Sequence, residues 1–133
     1  MPTNTIFDEA ATQLDLQALV DLNDLNSGPE EDILAELIQI FETSTPERME
    51  LMGQALLLND AELMNKTAHS LKGSSGSLGA RRFAQVCLEL EEMGRSKVLN
   101  EAQARKLLLQ LQVLYKKTFM EIREAYQKIR QPT

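Results

Sequence analysis

Tryptophan is absent from the 133 residues, and histidine and cysteine occur once each. The lone thiol, Cys87, cannot close an internal disulfide, which fits a reducing compartment. One histidine among scattered acids makes a poor metal site. Aromatic residues reach only 5%, so the core must be built from Leu, Ile, Met and Ala, a palette that favours helices. Six glycines and four prolines are too few for a loop-rich or disordered chain. No apolar run approaches the roughly 18 residues of a membrane span. The opening MPTNTIFDEAATQ has neither the basic residue nor the apolar stretch of a secretory signal, and a cytoplasmic location is expected.

Bases are missing from the first third. Residues 1–47 hold eleven acids and no Lys or Arg, whereas residues 48–133 hold nine acids and fourteen bases. The net charge of −6 excludes nonspecific nucleic-acid binding, which needs a basic surface. The asymmetry reads as acidic early helices packed beside basic late ones, with an acidic docking surface as the alternative.

What is present suits one globular domain: 43% hydrophobic and 26% charged residues in a chain long enough to bury a core. No segment alternates with period two, so no sheet is expected. Residues 1–14 read as a tail with Ile6 and Phe7 as its apolar docking points, and 15–130 as the domain. A short helix is expected over Leu16–Leu25, with Leu16, Leu19, Val20 and Leu22 on its apolar face. Asn26-Ser27-Gly28-Pro29 stops it, and Pro29 suits the first turn of a long second helix reaching Leu58. The phase of Leu34, Leu37, Phe41, Ser44, Arg48, Leu51 and Ala55 carries that helix through a kink at Pro46. Asn59 with Glu62 has the pattern of a capping box for a third helix, Asp60–Leu78, which ends at Gly79. A fourth helix spans Arg81–Met93, ended by Gly94, and a fifth follows Asn100 for about 30 residues, or about 45 Å. Amphipathic helices with short links make an all-α antiparallel bundle.

The one histidine lies in Thr67-Ala68-His69-Ser70-Leu71-Lys72-Gly73-Ser74-Ser75-Gly76-Ser77-Leu78-Gly79. At about 100° per residue, Met64, Ala68, Leu71, Ser75 and Leu78 form the core face, and His69 points about 140° from its centre, into solvent. Lys72 and Gly73 sit one turn along the same side, and Gly76 two turns along. Each interior glycine costs a helix about 1 kcal/mol, so two beside one histidine read as clearance for another molecule, the alternative being an ordinary surface His and Lys on a glycine-weakened helix. An exposed imidazole offers a nucleophilic nitrogen, and an ammonium one turn away can stabilise phosphoryl oxygens.

The segment AHSLKGSSGSLGA, then RRFAQVCLELEEMGR, resembles the signature of the histidine-containing phosphotransfer (HPt) domain family. The upstream ILAELIQIFETSTPERMELMGQALLLNDAELMNKTAHSLKG fits that family's layout, so the resemblance covers about residues 15–130. It implies a four-helix bundle, here with a short extra N-terminal helix, whose exposed histidine takes a phosphoryl group from one receiver-domain aspartate and gives it to another. By that resemblance His69 is the phosphorylated histidine, Lys72 the lysine that stabilises the phosphoryl group, and Gly73 the small residue that keeps the ring accessible. Arg95 matches a basic position near the site in some members. Glu91 stands where some members carry a glutamine that positions the histidine, and an acid there departs from the pattern. The implied partners are receiver domains of hybrid histidine kinases and response regulators, with no membrane and no nucleic acid, and family and size together suggest a monomer. The excess of Leu on a first helix too short to be stable alone suggests that they dock over His69 and on Leu22 or Leu25. No cofactor or metal is expected, because Mg²⁺ in such relays belongs to the receiver. The resemblance implies no ATP-dependent kinase activity of the chain's own.

Other readings are weaker. Gly73, Gly76 and Gly79 follow no strand and lack the Gly-Lys-Ser/Thr ending of a phosphate loop. Ser70, Ser74 or Ser75 beside His69 has no orienting acid in view for hydrolase chemistry. Cys87 falls at core spacing. A binding-only adaptor is the remaining alternative, and it leaves His69 without a purpose.

Overall fold

The computed structural model describes residues 11–131, and the tail residues Ile6 and Phe7 lie outside them. Five helices follow in order: α1, Leu16–Asn23; α2, Ile33–Leu57; α3, Ala61–Ser77; α4, Arg81–Arg95; and α5, Glu101–Arg130. Helices α2 to α5 form an up-down-up-down ring in which each packs on the next and α5 closes on α2. The described residues form no strand; Leu14 and Ala80 alone make an isolated bridge. The short α1 lies against α2 and α5.

Local chemistry sets the helix ends. The Asp15 side chain accepts from the Gln17 N–H at 3.1 Å and starts α1. Asp60 accepts from the Leu63 N–H at 3.0 Å, and Asn100 from Gln103 at 3.0 Å. Two expected helix starts move. Helix α2 begins at Ile33 rather than Pro29, because Gly28 and Glu31 close their own turn while Asn26 and Asp32 accept the Ile33 and Ala35 N–H groups. Asn59 does not cap α3: it adopts a left-handed φ of 53° and ends α2, and the cap passes to Asp60.

The expected continuity of α2 through Pro46 holds. Proline has no N–H for the carbonyl of Glu42, four residues back. The Tyr115 hydroxyl of α5 donates to that carbonyl at 3.2 Å. The stripe of α2 is turned slightly from the expected phase: Leu34, Ile38, Phe41, Thr45, Met52 and Ala55 are buried, whereas Ile40 and Leu51 face solvent. In α1 only Leu19 is fully buried, and Leu16 is exposed.

The core faces expected of α3 and α5 are found. Met64, Ala68, Leu71, Ser75 and Leu78 are all buried, as are Leu107, Leu111, Leu114, Thr118, Ile122 and Ala125. Gly79 ends α3 at φ 76°, and its carbonyl accepts from the Asp15 N–H at 2.8 Å, tying the chain before α1 to the α3–α4 turn.

Gly94 does not stop α4, which runs on to Arg95 before Lys97 turns out at φ 65°. A Cβ at Gly94 would stand 2.6 Å from both the Ala61 carbonyl oxygen and the Asn65 nitrogen. The glycine lets the α3 and α4 backbones touch. Gly76, by contrast, has nothing within 4 Å of its Cβ position. Chemical denaturation should therefore separate the two: Gly94→Ala loses several kcal/mol because backbone must move, and Gly76→Ala gains about 0.5–1 kcal/mol from helix propensity.

Candidate functional site

The α3–α4 contact at Gly94 sets the register of everything beside it. Asn65 donates from its side chain to the Glu91 carbonyl at 2.9 Å, one turn from the glycine contact. The next turn of α3 carries His69, and the same side of α4 carries Glu91, so the two meet.

Glu91 sits on the buried stripe of α4 with Val86, Cys87, Leu90 and Gly94, and its side chain is only 3% exposed. A buried carboxylate needs partners to offset lost hydration. It has three. His69 Nδ1 lies 2.7 Å from Oε2, Lys72 Nζ lies 2.6 Å from Oε1, and Arg95 reaches Oε2 at 3.2 Å. The Lys72 hydrogen bond does most to hold the Glu91 carboxyl below the usual carboxylate range; burial opposes it, and the His69 hydrogen bond adds to the lowering.

That ionised carboxylate determines the state of the ring. It can only accept, so Nδ1 must carry the hydrogen and donate. The neutral imidazole then has its lone pair on Nε2. The His69 side chain is 68% exposed, so this lone pair is open to an incoming electrophile. Gly73 and Gly76 have open space where a Cβ would project, which leaves the approach beside the ring clear.

The structure brings His69, Lys72 and Arg95 together on one acid, and sequence reasoning left that acid's contact open. An acid at core spacing, one turn before Gly94 and Arg95, was the available signal. Among the described residues no serine hydrogen-bonds to His69, whose side-chain partner is Glu91. Ser75 donates to the Leu71 carbonyl at 2.6 Å, Ser74 to the same carbonyl at 3.3 Å, and Ser77 to the Gly73 carbonyl at 3.0 Å. Cys87 is fully buried, and burial, then the charge of Glu91, pushes its thiol up to about 12.

The sequence pattern of the Hpt domain family matches residues 36–131, which include every residue of this cluster. The chain belongs to the Hpt family. Among solved structures it is similar to the histidine-containing phosphotransfer protein B from Pseudomonas aeruginosa PAO1, at 30% identity and a TM-score of 0.76. The match covers 89% of this chain and 97% of that one. No curated protein matches the chain. Members of the Hpt family carry phosphoryl groups on histidine in two-component phosphorelays, with receiver domains and kinases as partners, and this chain is such a phosphotransfer protein. Among the described residues, no helix is long and apolar enough to cross a membrane.

Glu91 should register in the acid limb of stability. A folded-state carboxyl held low contributes stability that is complete above its unfolded value, near 4.5, and is lost as pH falls through the lower folded value. Glu91→Gln keeps the shape and removes the charge. Because Lys72 and Arg95 reach water, the neutral-pH cost is about 1 kcal/mol. Thermal melts should show that gap narrowing as pH drops below the ordinary glutamate value.

Proposed function

We propose that His69 is the phosphoryl acceptor and donor of this Hpt protein, acting through Nε2. The observation that carries it is the Glu91 hydrogen bond to Nδ1 of the only histidine in the chain, which leaves Nε2 as the outward nucleophile. The phosphoryl source is the aspartyl phosphate of a receiver domain. The Nε2 lone pair attacks phosphorus, the N–P bond forms, and the bond from phosphorus to the aspartate oxygen breaks. The aspartate leaves as a carboxylate. The ring becomes a phosphorylated imidazolium that keeps its Nδ1 hydrogen on Glu91, whose charge offsets the new positive charge. The reverse sequence, onto a second receiver, discharges the carrier.

Lys72 has a supporting role. Its ammonium spends one hydrogen on Glu91 and is partly exposed, so its other hydrogens are available to phosphoryl oxygens. Arg95 lends a second positive charge at the rim of the cluster. Gly73 keeps the receiver's active-site loop within reach of the ring. The divalent cation of the transfer belongs to the receiver, the chain acts without ATP, and its place is the cytoplasm. Receivers dock over the exposed side of α3 and onto Leu25, which is exposed beyond the end of α1, with the half-buried Leu22 beneath.

The test is transfer from receivers loaded with acetyl phosphate or by a kinase. Acid-labile, alkali-stable label should appear on the wild type and be absent from His69→Gln. Lys72→Glu should slow labelling about 10- to 100-fold with the helical fold intact, the cost of one charge-assisted hydrogen bond. Folded wild-type protein that takes no label from a broad receiver panel would instead mark a binding-only adaptor.

A further inference from the structure

Two exposed stripes lie outside the phosphoryl site. On α5, Leu109, Val113 and Met120 face solvent at spacings of four and seven residues, hence along one side of the helix. Lys106, Lys116, Lys117 and Arg123 share or border that side with a single acid, Glu124, and among the described residues none of the four bases lies within ion-pair distance of an acid. On α2, Ile40 and Leu51 are exposed on one side, flanked by Glu36, Glu47 and Glu50, which have no ion-pair partner among the described residues either.

The stripes match in spacing as well as in charge. Ile40 and Leu51 are eleven residues apart, and so are Leu109 and Met120, about 16 Å along each axis. Laying one helix parallel to the other with Ile40 on Leu109 puts Leu51 on Met120. The same register brings Glu47 level with Lys116, and Glu36 level with Arg105, which also pairs with Glu101 of its own helix at 2.6 Å.

We propose that a second copy of this chain seats its acidic α2 stripe on the basic α5 stripe. The division of charge between the early and late helices is what makes the surface complementary to itself. Within one molecule the α2 stripe is turned away from α5: Gln39 and Glu42 border the α2–α5 groove, and Ile40 lies about 100° round the helix from Gln39. A pair of molecules therefore shares one such contact, and the association is head-to-tail. One helix on one helix is a small interface of the transient class. Neither helix carries His69 or Glu91, so the phosphoryl site takes no part in the contact. The monomer expected from size is then the dilute form.

Sedimentation velocity from micromolar to near-millimolar concentration tests this. At low salt the weight-average mass should climb above the 15.0 kDa of one chain, and high salt should return it. Glu47→Lys and Lys116→Glu should each weaken association at least about tenfold, and an equimolar mixture of the two should recover it, since the exchanged signs face each other across the contact. Circular dichroism on each variant separates loss of contact from loss of fold. A mass that stays at one chain throughout, association unaffected by both changes, or a mixture that fails to recover would each overturn the proposal.

Discussion

The site depends on one buried carboxylate. Glu91 pairs with a histidine, a lysine and an arginine, and each of the three would otherwise be an independent surface group. Exposed ion pairs are individually worth little, about 0–1 kcal/mol, because water competes for both partners. Here the acid is withdrawn from water and its cations are not. The carboxylate cannot relax toward solvent, so the cations converge on it. Orientation of the imidazole follows from that asymmetry, and so does the outward placement of Nε2 on which the proposed transfer rests.

A buried charge at that place needs a close helix pair, and Gly94 supplies it. With no side chain at the crossing, the α3 and α4 backbones come near enough for Asn65 to bond the Glu91 carbonyl and for Glu91 to span to His69. The opposite requirement governs the outer side of α3. There Gly73 and Gly76 leave open space where a Cβ would project, at a cost in local helix stability. Glycine thus stands in two settings within one helix pair: backbone contact inside, open space outside.

Much of this was legible in the sequence, and the reason differs by feature. The core faces of α3 and α5 followed from helical periodicity, because burial there obeys a single geometric rule. His69 stood out as exposed by the same rule. Helix starts were less legible: Pro29 and Asn59 are good cap residues, but Asp32 and Asp60 lie nearby and accept the helical N–H groups more effectively. Gly94 read as a stop signal because a helix-ending glycine and a helix-crossing glycine look alike until the neighbouring backbone is known. The α2 stripe was set one residue off at Leu37, Ser44 and Leu51, where Ile38, Thr45 and Met52 are the buried residues, since an apolar residue at either phase satisfies the pattern. Glu91 was the main gap. No local rule puts an acid on a buried stripe, and its meaning comes only from the cations that α3 and the next turn of α4 deliver to it.

The central claim is that Glu91 holds Nδ1 and thereby selects Nε2. The most direct measurement is the position of the phosphoryl group on the ring, read by ¹⁵N and ³¹P NMR of the phosphorylated protein with labelled histidine. The account predicts phosphorus bonded to Nε2 with Nδ1 still protonated, and a weakened preference for that tautomer in unphosphorylated Glu91→Gln. Phosphorus on Nδ1 would contradict it, because that nitrogen cannot accept a phosphoryl group while donating to the buried carboxylate.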